Sequence, residues 1–197
     1  APIESVHSSF KHCIDSYLTK DNREITMENL QARIRGIFMM SLANNQRALL
    51  LATSNKSELA LGFYTLYGDS CGALGIIGDL YKTEVYEMAH AINQGGQIIP
   101  ESILSKEPSA ELAPEQKDSD CLPSYPVLDP WLEKVIEKKA HPLEGSSPKL
   151  EHFDKTQLFR TLHKNEFKRR QSPFVLKISS QALHPPERRI PITSRFF

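Results

Sequence analysis

The chain has 197 residues, 24 basic against 24 acidic side chains and 40% hydrophobic residues. That is enough for one domain with a real core, and a net charge of zero provides no field for nucleic acid or a membrane surface. Apolar runs such as Ala48 to Ala52 are far too short to span a bilayer, and Ala1-Pro2-Ile3-Glu4 lacks the basic-then-apolar order of a signal peptide.

In chain order, residues 3–19 predict an amphipathic helix. Thr26 reads as the N-cap of a long helix to about Asn44, with Glu28 in its first turn. Met27, Leu30, Ile34, Ile37, Phe38 and Ser41 or Leu42 fall on one face of that helix at three- and four-residue spacing and predict its core side. Asn29, Arg33 and Gly36 share another face, where the glycine would admit a second backbone or a ligand. Ala48 to Ala52 predicts a strand buried on both faces of a parallel sheet, followed at Thr53-Ser54-Asn55 by another helix. Helix, buried strand, helix is an α/β unit, and ligands in such sheets bind at the carboxyl ends of strands. Thr53 to Glu58 is therefore the first place to look for chemistry.

A glycine-rich stretch with Gly68, Gly72, Gly75 and Gly78 leads to Asp79, read as the cap of a helix to about Asn93. Eight of nine glycines precede residue 97 and twelve of thirteen prolines follow it, which separates an α/β core part at 1–97 from a Pro-rich helical and extended part at 98–197. Within the second part, 101–127 predicts loop with short turns, and Pro130 to Lys139 a short helix. Residues 143–150 read as a Gly/Ser/Pro linker. Asp154 reads as the cap of a last helix to about Arg170 with Leu158, Leu162 and Phe167 inside, and 188–192 as an edge strand or extended arm. Three widely spaced cysteines, Cys13, Cys71 and Cys121, argue against a disulfide framework or structural zinc and suit a reducing, cytoplasmic setting. The seven histidines form no H-x-x-x-H or H-E-x-x-H pair.

Several residues could carry chemistry, each beside a plainer role. Lys82 lies in the first turn of its helix, where a cation opposes the dipole; it is either a solvated lysine or part of a phosphate site built with that helix N-terminus. Asn55-x-x-Glu58 matches a capping box, so capping competes with a ligand or metal role for Glu58. Thr53 ends the buried strand on the ligand side, or hydrogen-bonds to the next loop. Arg33 could clamp a carboxylate or phosphate, or pair with Glu28 on the surface. Lys168-Arg169-Arg170 could simply complement a helix C-terminus. Asp118 and Asp120 read as solvated loop, and no spacing supports a nucleophilic triad.

Resemblance goes further than spacing. Glu28-Asn29-Leu30-Gln31-Ala32-Arg33-Ile34-Arg35-Gly36 resembles the E-N-x-Q-A-R-x-R segment of NAD synthetases, and Thr53-Ser54-Asn55-Lys56-Ser57-Glu58 their T-x-N-K-S-E. Tyr64 to Asp69, Lys82-Thr83 and Asn165 to Arg170 follow in family order, so the likeness runs from about residue 20 to residue 192. It implies an adenine nucleotide α-hydrolase-like fold, with a Rossmann-like parallel sheet and flanking helices. It also implies adenylation of the nicotinate carboxylate of deamido-NAD by ATP with Mg2+, then displacement of AMP by ammonia. Carried over by motif, Asn29, Arg33, Glu58 and Lys168 would bind deamido-NAD; Thr53, Lys82 and Ser109 would bind ATP; and Glu58 would alternatively hold magnesium.

Leu66 and Phe167 stand where the ammonia-using branch has lysine and histidine, and Ala73 stands near its substrate-binding aspartate. Leu66 and Phe167 resemble instead the glutamine-dependent branch, in which a preceding glutaminase domain supplies ammonia. No glutaminase residues and no S-G-G-x-D-S pyrophosphate loop occur here, and that loop is expected upstream of residue 1. The resemblance also implies a homo-oligomer. Two further readings stay open: a non-catalytic remnant or interaction subunit of this fold, and another ATP-pyrophosphatase amidotransferase.

Overall fold

The computed structural model describes residues 2–113, 115–143, 150 and 153–183. It begins with α1 (Glu4–Ile14) and the long α2 (Arg23–Gln46), then runs β1 (Leu51–Ala52), α3 (Lys56–Leu61), β2 (Leu74–Gly75) and α4 (Lys82–Ile92). After it come α5 (Glu101–Leu104), α6 (Tyr125–Ile136), α7 (Lys155–Lys164), α8 (Glu166–Arg169) and β3 (Phe174–Val175). Among the described residues the three strands form one parallel sheet in the order β1-β2-β3, with Ala52 opposite Gly75 and Gly75 opposite Val175. A parallel sheet with flanking helices is the α/β, Rossmann-like architecture expected. No described helix is long and apolar enough to cross a membrane.

Several local expectations change. Thr26 is not a cap; it lies inside α2, whose N-cap is Asn22, and its hydroxyl donates back to the Asn22 carbonyl. The buried side of α2 is only partly the expected one: Ile34 is buried as expected, together with Ala32, Gly36 and Ala43, while Ile37 and Phe38 are 61% and 39% exposed. The reason is close backbone approach. A Cβ on Gly36 would lie 2.8 Å from the Tyr67 carbonyl and 2.9 Å from that of Gly68. The small-residue face therefore seats the 67–68 turn, and Ile37 and Phe38 point away. The β1 region is not buried on both faces either. Leu49 and Leu51, on one face, are 76% and 44% exposed, whereas Ala52 on the other face is buried.

The core forms mainly around α6. Its stripe of Leu128, Trp131, Leu132, Val135 and Ile136 packs with Leu59, Leu61, Tyr64 and Tyr81 from the first half and with Leu158, Leu162, Val175 and Leu183 from the second. This stripe explains why the helix starts at Tyr125 rather than at Pro130. Pro126 falls in the first turn, where a missing N–H costs nothing, whereas Pro130 forfeits an internal hydrogen bond. That loss is about 3 kcal/mol, and each large apolar side chain buried contributes about 1.5–3 kcal/mol. Five such residues on α6 outweigh it.

The last predicted helix is two. Asp154 does cap α7, accepting from the amides of Thr156 (2.8 Å) and Gln157 (3.2 Å). The helix then breaks at Asn165, whose side-chain amide donates to the Leu61 and Thr161 carbonyls. The break turns Phe167 outward, 40% exposed, and buries Glu166 and Arg169 in its place. β3 follows where no strand was expected. Most of the expected linker at 143–150 and all of the arm at 188–192 lie outside the described residues.

Candidate functional site

Chemistry concentrates at the two ends of α3. This helix has six residues, so its ends stand about 9 Å apart.

At its N-terminus the capping box is real: Asn55 Oδ1 accepts from the Glu58 amide at 3.0 Å, and Glu58 Oε2 accepts from the Asn55 amide at 3.1 Å. That uses one carboxylate oxygen. The other, Oε1, accepts from Lys82 Nζ at 3.1 Å, so capping and site roles coexist in one side chain. Burial raises the Glu58 carboxyl above its ordinary value, and the Lys82 charge and the Asn55 amide offset only part of that rise. Lys82 Nζ also lies 5.6 Å from the centroid of the Tyr125 ring, whose hydroxyl donates to Asp118 at 2.6 Å.

Lys82 is the first residue of α4, but Asp79 does not cap that helix. The Asp79 carboxylate accepts from the amides of Ile178 (2.8 Å) and Ser179 (2.7 Å) and pairs with Lys56. The first amides of α4 turn elsewhere. Lys82 N–H donates to Ser57 Oγ at 3.0 Å, and Thr83 N–H to Asp129 Oδ2 at 2.9 Å. The preceding glycines serve packing: a Cβ on Gly78 would sit 2.7 Å from Val175 Cγ2.

At the C-terminal end of α3, three sequence-predicted residues meet one segment, Gly62 to Leu66. Asn29 Oδ1 accepts from the Thr65 hydroxyl at 2.9 Å, Arg33 Nε donates to the Leu66 carbonyl at 3.2 Å, and Lys168 Nζ donates to the carbonyls of Gly62 (2.7 Å) and Tyr64 (2.9 Å). Arg33 donates no bond to Glu28 among the described residues. Burial lowers the Lys168 ammonium below its ordinary value; the Asp69 charge opposes that and the Arg33 charge adds to it. Lys168 and Arg169 do complement a helix C-terminus, but that of α3 rather than their own, with Arg169 donating to the Leu59 and Ala60 carbonyls. Two cations beside one another suit a carboxylate or phosphate.

The structure thus divides the predicted set. Asn29, Arg33 and Lys168 come together, whereas Glu58 joins Lys82 at the other end of α3. Thr53 is exposed just past the end of β1. The Ser109 hydroxyl accepts from the Glu111 amide at 3.0 Å, within the loop that ends at Asp118. Among the described residues no three His, Cys, Asp or Glu side chains cluster as a metal site. Asp129 and Tyr125 were missed, and Asp118, read as solvated loop, accepts the Tyr125 hydroxyl. Only Asp129 left a signal, as a carboxylate on the helical stripe of Tyr125, Leu132 and Ile136.

The NAD synthase family profile matches residues 1–172. The chain belongs to the NAD synthase family. It is 42% identical over 197 residues to a glutamine-dependent NAD(+) synthetase of Thermotoga maritima, covering 99% of this chain and 34% of the relative. It is 47% identical over 155 residues to one of Synechocystis, covering 79% and 28%. Among solved structures it resembles a glutamine-dependent NAD(+) synthetase from Cytophaga hutchinsonii, with a TM-score of 0.73 at 25% identity over 98% of this chain and 32% of that one. This NAD synthase family member therefore spans about a third of the length of these relatives.

Proposed function

We propose that this chain works as part of a longer glutamine-dependent NAD synthetase, in which it holds the deamido-NAD side and part of the ATP side of the site. The reaction couples two steps. The nicotinate carboxylate of deamido-NAD attacks the α-phosphorus of ATP, releasing pyrophosphate. Ammonia, released from glutamine by another part of the protein, then attacks the activated carbonyl; AMP leaves and a proton is lost. The observation that carries this reading is the pairing of two sites across α3: Arg33 and Lys168 around Gly62 to Leu66, and Glu58 with Lys82 at the helix N-termini. The first site would bind anionic groups of deamido-NAD, oriented by Asn29. The second would neutralise ATP phosphates through Lys82, with Thr53 and Ser109 as further ATP contacts. Relatives named glutamine-dependent NAD(+) synthetase support the activity. The solved structure of a relative from Acinetobacter baumannii is a complex with adenosine diphosphate, which supports nucleotide binding.

Magnesium takes one or two carboxylates and completes its shell with phosphate and water, so Glu58 would hold it by exchanging the Lys82 bond at Oε1 for the metal. When bound, it would neutralise phosphate charge. A homo-oligomer in the cytoplasm completes the proposal, and three free cysteines suit that compartment.

The test is deamido-NAD-dependent exchange of pyrophosphate into ATP. In the longer enzyme, Lys82→Ala should lower exchange by about a hundredfold or more; unchanged exchange makes Lys82 a surface lysine. The 197 residues alone should support no exchange, since S-G-G-x-D-S is absent from them. Robust exchange by this chain alone would refute that part. Exchange with other carboxylates but not with deamido-NAD would refute the substrate.

A further inference from the structure

We propose that Asp129 is a positioning residue that locks the N-terminal turns of α3 and α4 together and thereby sets the Glu58–Lys82 pair. The proposal rests on the reading of that pair as part of the ATP side.

Asp129 lies on the apolar stripe of α6 and is 3% exposed. Its Oδ1 accepts from the Ser57 hydroxyl at 2.6 Å. Its Oδ2 accepts from both the Thr83 amide and the Thr83 hydroxyl at 2.9 Å. Ser57 closes the loop, because its Oγ accepts the Lys82 amide at 3.0 Å. One carboxylate therefore grips the neighbour of Glu58 on α3 and the neighbour of Lys82 on α4.

A buried carboxylate with no ion pair among the described residues carries a large desolvation cost, against which hydrogen bonds must count. Burial accordingly pushes the Asp129 carboxyl up, while the Ser57 and Thr83 bonds pull it down. A cap for α4 alone would need only a serine or aspartate at position 81. That position is instead Tyr81, buried in the core; Glu84 accepts the Tyr81 amide within α4, and the Thr83 amide is left to a side chain on another helix. Moving the cap to α6 adds what a local cap lacks: it fixes α4 relative to α3. Fixing the backbone from which Lys82 springs sets the region that Nζ can reach and keeps Glu58 within it.

The test uses the active longer enzyme and separates the two substrates. Asp129→Asn keeps the shape but sets an NH2 group against a Ser57 or Thr83 donor. It should raise KM for ATP roughly tenfold or more and leave KM for deamido-NAD unchanged. Thr83→Val covers the case in which Asp129→Asn fails to fold. It removes one of the three bonds and should raise KM for ATP less, with Thr83→Ser restoring it. Wild-type KM for ATP in both Asp129→Asn and Thr83→Val would overturn the proposal. So would equal deterioration toward both substrates in step with lost folded protein. Lys82→Ala distinguishes the layers. If it disturbs ATP and Asp129→Asn does not, only the positioning role fails; if Lys82→Ala leaves ATP untouched, the underlying site reading fails with it.

Discussion

Lys56 shows how much a single side chain can hide in a local motif. It stands inside the Asn55-Lys56-Ser57-Glu58 run, yet it is fully buried, 3.0 Å from Asp79 and 2.9 Å from Glu137, with Ser179 Oγ at 2.7 Å. Replacing one member of a buried pair strands the other, so Lys56→Ala should cost about 3–5 kcal/mol in urea unfolding; a loss under about 1 kcal/mol would mean the pair is dispensable. The pH dependence has a definite sign. Burial alone would raise Asp79, but the Ser179 and Ile178 amides and the Lys56 ammonium outweigh it and hold the carboxyl below 3.8. Burial likewise opposes, and Lys56 and Ser180 outweigh, in holding Glu137 below 4.5. Their stabilisation is full above those ordinary values and is lost as pH falls through the lowered ones. Acid titration of Lys56→Ala should show a flatter loss of stability over that range. At this scale the Glu58 capping box was legible, because its bonds join residues three apart. The Lys56 triad and Asp129 were not, because their partners lie 23 to 123 residues away.

Among the elements, α2 is the instructive case. Three- and four-residue periodicity indicated its length and helical state and placed Ile34 in the core correctly, but assigned Ile37 and Phe38 to the core as well. Gly36 marks the face that packs, since a backbone turn rather than side chains fills the gap. Gly36→Ala should destabilise by about 1–3 kcal/mol, because its nearest neighbours are carbonyl oxygens that cannot rotate away. Gly95→Ala is the control: its Cβ would meet nothing within 4 Å, and stability should hold or rise. Equal effects at both positions, measured by thermal unfolding, would show that α2 does not dock closely. The same logic separates α6 from its prediction. Pro130 breaks a helix considered alone, but apolar burial on both sides of it keeps the helix continuous.

For the whole molecule, the core crosses the composition boundary near residue 97. Leu59, Leu61, Tyr64 and Tyr81 need Leu128, Leu132, Leu158 and Leu162 as neighbours. Residues 1–97 alone should therefore show no cooperative transition by circular dichroism, whereas the 197-residue chain should show one; a sigmoidal melt of the shorter piece would contradict the shared core. Family membership, the α/β class and the order of motifs were determined by the sequence itself, since each depends on residue identity over short spans. Which residues meet was decided by tertiary structure. Asn29, Arg33 and Lys168 meet at one end of α3 and Glu58 with Lys82 at the other, and the Thr83 amide of α4 is capped by Asp129 on a distant helix. The physical reason is that capping, ion pairing and close backbone approach act over a few ångströms of space, and no local pattern records which distant segment folding brings within that reach.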